Sequence, residues 1–141
     1  METQGKVFVT NSFKATQKLG IDFAKSLRGG DVAALYGNLG SGKTTFVQGL
    51  AEGLGIKRRI ISPTFIIVRQ YEISDNKFYH VDLYRVESER DLESLGIEEI
   101  ISDSSSIVVV EWAEKLGVIL PKKRWEVRFE YLGENKREIK I

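Results

Sequence analysis

Gly37-Asn38-Leu39-Gly40-Ser41-Gly42-Lys43-Thr44-Thr45 carries the clearest chemistry in this chain. Its spacing fits G-x-x-x-x-G-K-[ST], the pattern of a phosphate-binding loop. Glycines let the backbone curl so that successive N–H groups converge on phosphate oxygens. The helix expected to open near Lys43 adds unpaired N–H donors and a positive dipole end. In this reading residues Asn38, Leu39, Gly40, Ser41, Gly42, Lys43, Thr44 and Thr45 hold the phosphates. Lys43 reaches the β- and γ-phosphates, and the Thr44 hydroxyl ligates Mg²⁺.

Such a loop needs carboxylates beside the metal, at the C-terminal end of a neighbouring strand. Two candidates follow apolar runs. Glu111 ends Ile107-Val108-Val109-Val110, and Asp82 ends a second run. Glu111 is favoured as the Mg²⁺-side acid and Asp82 as the group that orients or activates water, although the pattern also permits the reverse. Thr64, after Ser62-Pro63, sits where a loop could close on the γ-phosphate or the metal. It could equally be an ordinary residue at a strand entry. His80 reads as a strand residue, and Trp112 as core or interface. The N-K-x-D guanine reader is missing: Asn76-Lys77-Phe78-Tyr79 lacks the Asp, and Asn135-Lys136-Arg137-Glu138 falls in a terminal hairpin. That excludes the usual guanine reader and points to adenine, although it does not demonstrate ATP.

The elements that must position these groups are legible from periodicity. Residues 6–10 predict a strand. A helix capped by Asn11 or Ser12 follows, with Leu19, Phe23 and Leu27 on one side and Gly29-Gly30 as its stop. Val32 to Tyr36 is the strand feeding the glycine loop. The helix from Lys43 puts Phe46, Val47, Leu50, Ala51 and Leu54 on one stripe and ends at Gly55. Ile66 to Tyr71 and Phe78 to Arg85 predict a hairpin turning at Asp75-Asn76-Lys77. Ser88 to Asp91 resembles a capping box before a short helix that Gly96 interrupts. Ser102–Ser106 reads as a polar loop. Ile107 to Val110 predicts a strand buried on both faces. Trp125 to Tyr131 and Arg137 to Ile141 alternate apolar with charged residues, as a β-hairpin does. These elements predict one domain over residues 1–141, a three-layer α/β P-loop NTPase fold. Its mixed central sheet carries antiparallel additions and the C-terminal hairpin.

Bulk properties set the outer limits. The chain has 141 residues, enough for a single core, and a net charge of +1. Near-neutral charge leaves no overall footprint for nucleic acid. Residues 72–114 carry twelve acidic and three basic side chains, a solvated face or a docking surface. Lys57-Arg58-Arg59 forms a small basic cluster, a wet loop or a contact for a phosphate-bearing partner. There are no cysteines and one histidine, which excludes disulfides and argues against a Cys or His metal site. No leader-like apolar region follows the N-terminus, and no run approaches membrane-spanning length.

Taken together, these residues resemble one family over nearly the whole chain. The matching features are the glycine loop through Gly49, Ser62-Pro63-Thr64-Phe65, His80-Val81-Asp82-Leu83-Tyr84-Arg85, Leu95-Gly96-Ile97-Glu98-Glu99 and Glu111-Trp112-Ala113-Glu114. The sequence is similar to the bacterial TsaE (YjeE) family, ATPases of tRNA threonylcarbamoyladenosine biosynthesis. Asn38 stands where many members are expected to have Asp. The resemblance implies a cytoplasmic ATPase using ATP and Mg²⁺. It implies partners TsaD, the transferase subunit, and TsaB, its paralogue without transferase chemistry. The modified residue is adenosine 37 of tRNAs reading ANN codons, with tRNA met through the complex. Lys43 and Thr44 would bind phosphate and metal, while Thr64, Asp82 and Glu111 support hydrolysis that resets the complex between rounds. Outside the resemblance, a phosphate loop also suits a small-molecule kinase, for which the chain lacks a lid, or a scaffold that binds nucleotide without hydrolysing it.

Overall fold

A computed structural model describes residues 5–38, 41–57 and 67–141. Seven strands form one sheet: β1 (Val7–Thr10), β2 (Val32–Tyr36), β3 (Val68–Ile73), β4 (Asn76–Asp82), β5 (Ser106–Glu111), β6 (Trp125–Tyr131) and β7 (Arg137–Lys140). Their order is β1-β7-β6-β2-β5-β4-β3. The centre is parallel, with β4 on β5, β5 on β2 and β2 on β6. β3, β7 and β1 add by antiparallel pairing. The glycine loop leaves the C-terminal end of β2, so the ends of β4 and β5 rise beside it.

Helices cover both faces. On one, α1 (Phe13–Ala24) and α2 (Lys43–Gly53) lie against Ala33, Leu35, Phe78, Ile107, Val109, Val127, Phe129 and Ile139. The expected α2 stripe is buried: Phe46, Val47 and Leu50 are fully covered, and Phe46 meets Phe129 edge-on at 5.3 Å. The two helices touch closely because each sets a glycine against the backbone of the other. A Cβ at Gly49 would collide with the Gln17 carbonyl, and one at Gly20 with the Phe46 carbonyl. On the other face, α3 (Glu89–Ser94), α4 (Ile97–Ser102) and 3₁₀ turns over Ala113–Ile119 enclose Val32, Ala34, Val81, Val108 and Val110. The result is the three-layer α/β arrangement with a mixed sheet.

Local chemistry sets the boundaries. Ser12 caps α1, its hydroxyl accepting from Ala15 N at 3.0 Å. α1 ends at Ala24, well before Gly29-Gly30. From there Lys25, Ser26 and Leu27 each donate to the carbonyl three residues back, a tightening that still delivers Leu27 to the core. The β3–β4 turn is Ser74-Asp75, since Ile73 pairs with Asn76; Asn76 and Lys77 already belong to β4, which stops at Asp82 rather than Arg85. Ser88 accepts from Asp91 N, as the capping pattern predicts. Ser102 closes α4 and Ser106 opens β5, which shortens the expected polar loop to the residues between. β6 and β7 pair antiparallel as expected, but β6 is also an inner strand, hydrogen-bonded to β2.

Candidate nucleotide site

β2 is buried along most of its length, and Gly37 follows it. Gly42, at φ 101, precedes Lys43 as the residue capping α2, a backbone conformation that favours glycine. A Cβ on Gly37 would stand 2.8 Å from Ser41 Oγ, so the loop closes only around a glycine there. Ser41 is almost fully buried, and its hydroxyl has no partner among the described residues. Thr44 lies on the exposed side of the first turn of α2, and Thr45 is half-buried. Asn38 is exposed. Leu39, Gly40, Thr64 and the rest of Ser62-Pro63-Thr64-Phe65 lie outside the described residues, as do Arg58 and Arg59.

Lys43 leans back over its own loop. Its ammonium donates to the Gly37 carbonyl at 2.6 Å and sits 4.4 Å from the centre of the Trp112 ring. Burial holds its pKa below the ordinary lysine value, against the opposing pull of Glu111, Asp82 and Glu114. A lysine in this state is charged but poorly solvated, which favours transfer onto an anion.

The two acids flank this lysine as their strands dictate. β4 and β5 are in parallel register, Asp82 opposite Glu111, and Glu111 is in turn opposite Leu35 of β2. Both carboxylates therefore leave the sheet on the α1–α2 side, where α2 begins. Glu111, adjacent to the loop strand, is 4% exposed, and its Oε2 is 2.6 Å from His80 Nε2. Asp82, one strand further out, is half-buried and accepts from Tyr84 N at 3.0 Å. Burial, then the Glu111 charge, pushes the Asp82 carboxyl above the ordinary aspartate range, while the Tyr84 amide, His80 and Lys43 oppose the shift. Asp82 is thereby the more basic of an ordinary aspartate's possible settings, and it faces solvent more than Glu111 does.

Just past Glu111 the backbone turns through Trp112, the one non-glycine residue with positive φ among those described (φ 60). The turn is held from outside. Trp112 packs on Tyr84 with ring centres 5.2 Å apart, and Lys115 donates to the Tyr84 and Val86 carbonyls at 2.6 and 3.0 Å. Those contacts tie the segment after Asp82 to the segment after Glu111. On the far side of the loop, the aliphatic stem of Arg137 lies against Gly42, while its guanidinium donates to the Gly133 and Lys136 carbonyls at 2.9 and 3.1 Å.

Sequence reasoning thus singled out Lys43, Asp82 and Glu111, which the fold brings together, and Thr44 at the mouth of the same loop. It missed two residues: His80 as the partner of Glu111, and Trp112 as the ring over Lys43. One signal for His80 was available. It lies two residues before Asp82 on a strand, so both side chains leave the same face.

Comparison with known proteins agrees with the geometry. The family model described as "Threonylcarbamoyl adenosine biosynthesis protein TsaE" matches residues 10–139. The chain is 44% identical over 126 residues to the tRNA threonylcarbamoyladenosine biosynthesis protein TsaE of Bacillus subtilis, covering 89% of this chain and 76% of that protein. It is 42% identical over 129 residues to the TsaE protein of Borreliella burgdorferi, covering 88% and 93% respectively. The crystal structure of Bacillus subtilis YdiB superposes with a TM-score of 0.80 at 32% identity, covering 99% of this chain and 85% of that one. With a glycine loop, a lysine and two strand-end acids assembled on this sheet, the chain belongs to the TsaE family of threonylcarbamoyl adenosine biosynthesis proteins.

Proposed function

We propose that this protein is a Mg²⁺-dependent ATPase acting with TsaD and TsaB in threonylcarbamoyladenosine modification of position 37 of tRNAs that read ANN codons. ATP hydrolysis would reset the complex between rounds, in the cytoplasm, with tRNA met only through the complex. The observation that supports this reading is the convergence of Lys43, Glu111 and Asp82 at the C-terminal ends of three adjacent parallel strands. A small-molecule site in an open parallel sheet belongs at this edge.

The donor set fits Mg²⁺. Among the described residues no cluster of three or more His, Cys, Asp or Glu side chains could cage an ion. Mg²⁺ does not require one, because it is held by one or two carboxylates or hydroxyls together with water and substrate phosphates. Thr44 and Glu111 are the residues that would hold it. When bound, the ion would neutralise charge on the β- and γ-phosphate oxygens. The chain's own groups do the rest. Loop N–H donors and Lys43, moved off Gly37 and Trp112, bind the phosphates. Asp82, with its proton affinity raised by burial and by Glu111, accepts a hydrogen bond from the attacking water and orients it. Thr64 is assigned to the γ-phosphate side by its place in the family motif. The missing N-K-x-D motif favours adenine over guanine.

The test is ATP hydrolysis by the purified chain, alone and with TsaD and TsaB, with Lys43→Ala as control. Turnover should rise when the pair is added and fall about 100-fold or more in the variant, the scale of losing a donor aimed at developing charge. Equal turnover by Lys43→Ala would remove the site assignment. Tight ATP binding with no turnover under either condition would leave a nucleotide-binding scaffold.

A further inference from the structure

His80 has no role in the chemistry set out above, yet it is among the most deeply buried polar groups near it. Its side chain is 3% exposed, in the middle of β4 between Tyr79 and Val81. Its Nε2 lies 2.6 Å from Glu111 Oε2, and the Glu111 side chain is itself 5% exposed. A carboxylate this far from water needs a hydrogen-bond donor, since an unpaired buried acceptor is costly and one bound to charge is stronger than a neutral pair. The acceptor being a carboxylate, Nε2 carries the hydrogen, which sets the tautomer.

We infer that His80 is a positioning residue for Glu111: its Nε2–H fixes Oε2 and so presents Oε1 toward the metal side of the loop. The inference rests on Glu111 being the Mg²⁺-side acid of an ATPase. Parallel register supplies the geometry. His80 is opposite Val109, so its ring leaves the same face as Glu111, two residues further along the neighbouring strand.

The bond also keeps two opposite charges apart. Lys43 feels the Glu111 charge more than that of any other residue, yet the ammonium rests on Gly37 and Trp112 and forms no ion pair with Glu111. A Glu111 released from His80 would be free to turn toward Lys43. That pairing would occupy both the lysine meant for phosphate and the acid meant for the metal. Partners that orient a metal-side ligand in this way typically change metal affinity or activity about 10–100-fold when removed.

Three substitutions grade the donor. In His80→Gln the side-chain amide nitrogen falls the same number of bonds from the backbone as Nε2; in His80→Asn it falls one bond short; His80→Leu removes it. Binding of a non-hydrolysable ATP analogue is measured by calorimetry with and without Mg²⁺, followed by hydrolysis and by thermal midpoints without ligand. His80→Leu should raise the Mg²⁺ concentration for half-saturation about 10-fold or more. Its Mg²⁺-free analogue affinity should fall less, because a Lys43 paired with Glu111 still leaves the loop N–H donors for phosphate. His80→Gln should recover most of the loss and His80→Asn less. Unchanged Mg²⁺ dependence in His80→Leu, or equal defects in all three variants tracking their thermal midpoints, would overturn the inference and leave His80 as packing. If His80→Leu does not fold, the Gln–Asn pair decides, because only the donor's reach separates them. A wild-type chain whose analogue binding ignores Mg²⁺ would overturn the inference together with the ATPase reading. Wild-type Mg²⁺ dependence with an indifferent His80→Leu overturns the inference alone.

Discussion

The two halves of the sheet are built to different rules. β4, β5 and β2 are covered on both faces, and β5 is buried at every position. β6, β7 and β1 are covered by α1 and α2 on one face only. Their other face shows Arg128, Glu130, Lys140, Val7 and Val9 to solvent. The proposed reacting groups all come from the doubly covered half or from the loop that it feeds. Burial there shifts Lys43 downward and Asp82 upward, each toward its neutral form. At the open face burial raises the Tyr36 hydroxyl instead, and the charges around it are ion-paired: Glu126 meets Arg124 and, at 3.4 Å, an Arg128 with more than half of its side chain exposed. A dry strand end pushes its ionisable groups toward their neutral forms, the kind of perturbation that marks candidate sites, whereas a wet sheet face leaves most of its charges solvated.

The largest stability effect should come from the helix shared by both halves. Phe46 is fully buried at the start of α2, with Phe23 at 5.7 Å and Phe129 at 5.3 Å between ring centres. Phe46→Ala should cost about 3–5 kcal/mol in urea unfolding, through lost burial and a cavity. A loss below about 1 kcal/mol would mean that α2 is held by its neighbours in the loop rather than by this packing.

The comparison also explains what could be read beforehand. The doubly covered strands announce themselves as apolar runs, Ile107 to Val110 most clearly, and the half-covered β6 and β7 as strict alternation. The stripe of α2 is legible because its period survives into the structure unchanged. The end of α1 is not, because glycine at residues 29 and 30 signals a stop, whereas the helix tightens after Ala24 under the demand that Leu27 still reach the core. The acids Asp82 and Glu111 are legible as strand ends, but not which stands beside the glycine loop. That depends on strand order, which puts β5 next to β2 and β4 outside it. The His80–Glu111 bond is hidden for the same reason: it joins residues 31 apart through a register no local pattern encodes.

A smaller effect, of opposite sign, should appear at Asp82. Its folded pKa lies above the unfolded value, so between the two the folded state holds more protons than the unfolded one. Stability then falls as pH rises through that window, and the ionised carboxylate is a standing cost at neutral pH. Asp82→Asn keeps an oxygen for the Tyr84 amide and removes the charge. The variant should be at least as stable as wild type at pH 7, with a flatter stability profile above the ordinary aspartate pKa of about 3.9. Its ATP turnover should be lost. A variant less stable than wild type at pH 7 would show that Asp82 is structural rather than held at a cost for chemistry.

The smallest effect is expected on the open face. The Arg128 guanidinium lies 4.4 Å from the centre of the Tyr36 ring, and its pairing with Glu126 is shared with Arg124. An exposed cation–π contact and an exposed ion pair are each worth about 1 kcal/mol or less, and water replaces much of both. Arg128→Ala should therefore change unfolding free energy by less than about 1 kcal/mol and leave nucleotide affinity unaltered, although Tyr36 adjoins the first glycine of the loop. Denaturant titration beside analogue binding checks both. A large loss of affinity with normal stability would mean that Tyr36 transmits strain from this face into Gly37, and the two halves of the sheet would then share the site rather than divide the labour of building it.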